Sequence, residues 1–180
     1  MSKKNYKYQL FIAVLLIILI CKTIIFEFYR VTSTSMSETI LPGDFILVNR
    51  LVFGTNTPNR IIIPFFNYEF SIPSIKIPPL RNIKERDIVV IRNNKHPECE
   101  NNLIKRVAAV EGQVVNSSLD SFVVPDDKIF VLGDNLATSY DSRDFGFIDK
   151  SEVIGKAVII YASIDIDGKF RWKRFFKNLE

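Results

Sequence analysis

Residues 103–112 read LIKRVAAVEG, six apolar residues interrupted by an adjacent lysine and arginine and closed by Glu111 and Gly112. The run is rich in valine and ends at a glycine, which favours a strand over a helix. Strand alternation sends Leu103, Lys105, Val107 and Ala109 to one face and Ile104, Arg106, Ala108 and Val110 to the other. Lys105 therefore projects among apolar neighbours. That is an unusual place for an amine.

Similar short runs recur on both sides, at 45–52, 88–91, 114–115, 122–124, 129–132 and 153–162. Pro42-Gly43, Pro97, Gly112, Pro125-Asp126-Asp127 and Gly133-Asp134-Asn135 separate them. No repeat appears, and no long amphipathic helical period follows residue 30. The expectation is a mainly β domain over 30–180, antiparallel and of sandwich or barrel type. Residues 54–84 carry Pro58, Pro64, Pro73, Pro78 and Pro79. This is too much proline for a central strand, so the segment reads as an apolar extended insertion, packed on the β-core or dipping into a membrane.

The N-terminus has its own character. Lys3, Lys4 and Lys7 precede an apolar stretch from Leu10 to Phe26 broken only by Lys22 and Thr23. At about 1.5 Å per residue it spans roughly 26 Å, close to the ~30 Å of a bilayer core, with Lys22 able to snorkel. A cleavable leader would end in small residues, whereas Ile24, Ile25, Phe26 and Phe28 are bulky. Residues 1–29 are therefore expected to be a cytoplasmic N-terminus and a single transmembrane helix. Residues 30–180 then lie on the extracytoplasmic side of the cell membrane.

Composition removes several chemistries. The chain has 180 residues, 47% hydrophobic and 24% charged, enough apolar content for a packed core. One histidine, His96, and two cysteines, Cys21 and Cys99, leave no room for a histidine-rich or four-cysteine metal site, and no cofactor is expected. His96 lies in the polar stretch Asn93–Glu98 and reads as a solvated turn. Nucleotide-binding glycine motifs are absent. The net charge of +4 does not argue for nucleic acid. The basic-aromatic stretch KFRWKRFFK at 169–177 reads as a terminal strand with a solvated charged face, with membrane lipid as its alternative partner.

With histidine out of play, a serine nucleophile would need a carboxylate or a neutral lysine as its base. Lys105 suits the second role. Apolar surroundings disfavour its ammonium form and lower its pKa from about 10.4 toward the working range. The strand alone also allows a plainer reading, in which the stem of Lys105 covers apolar surface and its head reaches water.

Two further stretches favour catalysis: VTSTSMSETILPGDFILVNR at 31–50 and GDNLATSYDSRDFGFI at 133–148. Together with 103–112 they resemble the bacterial type I signal peptidases. The family's Ser-x-Ser-Met matches Ser33-Thr34-Ser35-Met36, and its Leu-x-Gly-Asp matches Leu41-Pro42-Gly43-Asp44. Its Lys-Arg pair matches Lys105-Arg106. Its Gly-Asp-Asn and Ser-x-Asp-Ser-Arg match Gly133-Asp134-Asn135 and Ser139-Tyr140-Asp141-Ser142-Arg143. Glu38 stands where the family has proline, Leu136-Ala137-Thr138 replace a polar triplet, and Arg86 precedes Asp87 where glycine is usual.

The resemblance implies a membrane-bound serine endopeptidase that removes signal peptides by a Ser–Lys dyad. Ser35 would be the nucleophile and Lys105 the general base. The Ser35 N–H and the Ser33 hydroxyl would form the oxyanion hole. Ser139 would orient the lysine, and Asp141 with Arg143 would support the loop. The substrates implied are preproteins with small residues at the first and third positions before the cut, bound as an added strand. Two alternatives remain open: a self-cleaving repressor-type Ser–Lys protease, and a membrane-tethered β-domain that binds a partner without catalysis.

Overall fold

The computed structural model describes residues 6–15, 25–56, 60–63, 68–71, 73, 75–92, 102–116 and 121–179. Residues 6–15 are helical. Among the described residues no helix is long and apolar enough to cross a membrane. Residues 16–24, on which the expected span depends, lie outside the described residues, as do Cys21, His96 and Cys99.

The strands, in chain order, are β1 (Phe26–Arg30), β2 (Asp44–Asn49), β3 (Thr55–Asn56), β4 (Arg60–Ile63), β5 (Tyr68–Ser71), β6 (Lys76–Ile77) and β7 (Ile88–Ile91). They continue with β8 (Leu103–Val110), β9 (Val114–Asn116), β10 (Ser121–Val123), β11 (Lys128–Leu132), β12 (Ile148–Asp149), β13 (Val153–Ser163) and β14 (Lys177–Asn178). One eight-stranded sheet runs β1-β2-β13-β7-β8-β11-β12, with β14 added alongside β13. Every pairing in it is antiparallel. The mainly β, antiparallel expectation therefore holds.

The burial pattern explains why these segments pair as they do. In β2, Asp44, Ile46 and Val48 are buried and alternate with half-buried partners. In β8 the same alternation buries Lys105, Val107 and Ala109. All four residues of β7 are buried. Ile88 and Val90 pack with Met36, Ile40, Ile46 and Val48, whereas Val89 and Ile91 pack with Val107, Ile129 and Val131. The sheet is thus covered on both faces where β7 crosses it, so its sequence is continuously apolar. Register shifts interrupt β13 against both neighbours and β11 against β8. Such bulges bend a strand and tighten its twist.

Among the described residues, the insertion at 54–84 builds no part of the main sheet. β4 pairs with β5, and β3 pairs with β6 outside them, making two small antiparallel ladders one within the other. The C-terminal stretch departs from expectation. Only Lys177–Asn178 is a strand, and Trp172–Arg174 forms a 3-10 turn. The charges are not uniformly solvated either, because Arg171 and Arg174 turn inward onto the 39–44 segment.

Arg86 has φ +72, a left-handed conformation that costs an L-residue about 1–2 kcal/mol. Its N–H donates to the Val107 carbonyl and its own carbonyl accepts from Arg106 Nη1, so backbone contacts hold it there and the exposed side chain does not. Arg86→Gly would keep both bonds. Against the extra freedom that glycine gives the unfolded chain, we expect a net stabilisation of about 0.5–1 kcal/mol in urea unfolding, and Arg86→Val should destabilise.

Candidate active site

Lys105 lies mid-strand on the buried face of β8 and is 2% exposed. Its Nζ donates to Ser139 Oγ at 3.0 Å. Ser139 belongs to the loop that follows β11.

Asp141 is fully buried. It accepts from the Gly133 N–H at 3.0 Å and from Arg143 Nε and Nη2 at 2.8 and 2.9 Å. It also caps the short helix Ser142–Phe145, where Asp144 completes a capping box. Ser142 Oγ accepts from the Val131 N–H, fastening that helix to β11. Burial alone would raise the Asp141 pKa, but the hydrogen bonds from Arg143, Gly133 and Ser139 outweigh it and hold the carboxyl at about 2. The carboxylate of the pair is thus buried, whereas the Arg143 side chain is 42% exposed.

Ser35, 8% exposed, sits in the 31–44 loop between β1 and β2. The base of the loop is closed by Val31 N–H to Asp44 O and Gly43 N–H to Val31 O, each 2.8 Å. Met36 and Ile40, both fully buried, press its middle into the core. The Ser35 N–H donates to Ser33 Oγ at 3.2 Å, so the two groups expected to bind an oxyanion are neighbours.

The serine loop and the lysine's loop meet at Gly133. The Asn135 N–H donates to Ser35 O at 3.0 Å and Asn135 Nδ2 to Thr34 O at 3.3 Å. A Cβ on Gly133 would stand 2.2 Å from Ser139 Oγ and 2.5 Å from Ser35 O. Only a residue without a side chain lets both serines approach this closely. All six residues singled out from the sequence, Ser33, Ser35, Lys105, Ser139, Asp141 and Arg143, thus belong to one contiguous site. Among the described residues no three metal-ligating side chains gather.

Three residues within the quoted stretches 31–50, 103–112 and 133–148 carry no role in the sequence reading. Arg106 grips Asp134 through two hydrogen bonds of 2.7 Å and also donates to Thr39 Oγ1 at 3.2 Å. The Asp134 carboxyl is held below its ordinary range: burial would raise it, and the hydrogen bonds from Arg106 and Thr39 prevail. Arg106, Asp134 and Thr39 together tie β8, the 133–143 loop and the serine loop to one another. The residue types were visible in the sequence, but nothing in strand alternation says which partner an outward arginine meets.

Comparison with known proteins agrees with this geometry. A family model described as signal peptidase, peptidase S26, matches residues 4–122 and 116–162. The chain is 26% identical to a signal peptidase I of Aquifex aeolicus over 86% of this chain and 82% of that one. It is 31% identical to signal peptidase I V of Bacillus subtilis, covering 74% and 84%. It is also 27% identical to a Staphylococcus aureus protein named inactive signal peptidase IA, covering 88% and 92%.

The depressed Asp141 carboxyl has a signed consequence. Its stabilising effect is full above the unfolded pKa of 3.8 and is lost as pH falls toward about 2. A shift of this size corresponds to roughly 2 kcal/mol. Urea midpoints should fall steeply between pH 4 and 2. Asp141→Asn should be weaker at pH 7 and show a shallower fall across that window.

Proposed function

The chain belongs to the signal peptidase family, peptidase S26, and on that premise we propose that Ser35 and Lys105 are its catalytic dyad. The enzyme is a serine endopeptidase that removes signal peptides from preproteins. The observation that carries the assignment is the burial of the Lys105 amine at the junction where the Ser35 loop meets Ser139.

Burial disfavours the ammonium form of Lys105 and lowers its pKa. The Asp141 carboxylate, two residues from Ser139, would oppose this by favouring the cation. Arg143 offsets that charge with two hydrogen bonds. A neutral amine that donates to Ser139 keeps its lone pair for the Ser35 proton. Ser35 Oγ then attacks the scissile carbonyl, and Lys105 returns the proton to the leaving amine. Acyl-enzyme hydrolysis repeats the sequence with water as nucleophile. The oxyanion takes the Ser35 N–H, which now rests on Ser33 Oγ, together with the Ser33 hydroxyl; one such donor is typically worth ~3 kcal/mol.

The same reading includes substrates with small residues at the first and third positions before the cut, selected by excluding larger side chains. It also places a single-pass anchor ahead of Phe26, shorter than the expected 1–29 because Phe26–Tyr29 pair with β2 in the main sheet, and the catalytic domain at the extracytoplasmic membrane surface. Ser35 lies nine residues beyond Phe26, which supports a site close to lipid. Exposed Phe170, Trp172 and Phe176 beside Lys169, Lys173 and Lys177 have the chemistry of an interfacial contact.

The test is cleavage of a preprotein by purified enzyme, with product mass giving the cut position. Ser35→Ala, Lys105→Met and Lys105→Arg should each lose at least about 10³-fold in rate, since no methionine or guanidinium accepts the serine proton. Lys105→Met should also be as stable as the parent or more so, because it removes a buried ionisable group while keeping its volume. Processing at the parental rate by any of the three would overturn the assignment.

A further inference from the structure

The basic-aromatic stretch Lys169–Lys177 lies beyond residue 162, where the family match ends. In the fold its side chains part company. Phe170, Trp172 and Phe176 are exposed, whereas the guanidinium groups of Arg171 and Arg174 reach the segment that follows Ser35. Arg174 Nε donates to Asp44 Oδ1 at 3.1 Å. Its Nη2 donates to Asp44 Oδ2 and, at 2.8 Å, to the Thr39 carbonyl. Arg171 Nη2 donates to the Pro42 carbonyl and, at 3.2 Å, to that of Ile164.

The receiving side is built for this. Asp44 is fully buried and accepts from Ser163 Oγ at 2.6 Å and from the Leu41 N–H at 2.8 Å. Gly43 has φ +88, and a Cβ there would stand 1.9 Å from Ile164 O and 2.8 Å from Arg171 Nη2. Thr39 is held from two directions at once. Arg174 takes its carbonyl, and Arg106, the residue after Lys105, takes its hydroxyl.

We infer that Arg174 is a positioning residue for the reaction, fixing the Thr39–Asp44 half of the loop so that Ser35 stays within reach of Lys105, with Arg171 as a second hold. The inference rests on Ser35 being the nucleophile. Arg174 touches neither substrate nor reacting atoms. Its effect is geometric, and a displacement of about 1 Å at a reacting group can cost on the order of 10²-fold in rate.

Arg174→Ala would leave Asp44 buried and unpaired, confounding lost positioning with lost folding. Two other variants avoid this. Arg174→Lys keeps a cation for Asp44, but a single ammonium cannot reproduce the planar fork that reaches both Asp44 and Thr39. Asp44→Asn/Arg174→Met removes both charges together. The full chain in detergent, with a preprotein substrate, is assayed for kcat, KM and Tm beside the parent and Ser35→Ala. Both variants are expected to fold, with kcat lowered about 10- to 100-fold and KM changed far less. Parental kcat in either folded variant, or unfolding of both, would overturn the inference and leave the latch purely structural. Parental activity in Ser35→Ala would instead overturn the assignment of the nucleophile.

Discussion

On the proposed assignment the whole site depends on the buried Lys105 amine giving up its proton, which its 2% exposure favours by penalising the ammonium form. The 3.0 Å hydrogen bond to Ser139 satisfies the amine without charging it. The Asp141 carboxylate, two residues from Ser139, is committed to Arg143, to Gly133 and to the helix it caps. The Arg143 guanidinium thus offsets part of its negative charge. Were Arg143 absent, the same carboxylate would favour the ammonium form that the reaction cannot use.

Around this centre the loops are fixed by one recurring device. Arg106 with Asp134, Arg143 with Asp141 and Arg174 with Asp44 each join a guanidinium to a largely or fully buried carboxylate through two hydrogen bonds. Two of the three carboxylates sit on the loop that carries Ser139, and the third closes the loop that carries Ser35. Loops usually have the freedom that such a site cannot tolerate. Here the β-sheet supplies a rigid floor, and the guanidinium pairs supply stiffness where no sheet hydrogen bond is available.

The sequence made part of this legible. The alternation of β8 correctly turned Lys105 inward, because one residue of register decides the face of every side chain in a strand. The motifs around Ser35 and Ser139 named residues that do lie together. Long-range pairing was not legible. Asp44 and Arg174 are 130 residues apart, and nothing local distinguishes Arg174 from the other cations of its run. The burial of Asp141 was open because spacing allows an ion pair without saying where it lies. The short ladders within 54–84 were hidden by proline, which correctly ruled out a central strand but does not forbid pairing at an edge. Arg86 shows the reverse: its departure from the family's glycine was visible, and the fold supplies the reason in a left-handed backbone.

The most direct measurement is the titration of Lys105 itself, followed through the ¹³Cε resonance of labelled lysine and assigned by comparison with Lys105→Met. A neutral catalytic amine predicts a transition well below the ordinary ~10.4 of lysine. A transition at or above that value would contradict the account, since the group assigned as base would then carry its proton throughout the pH range in which the enzyme works.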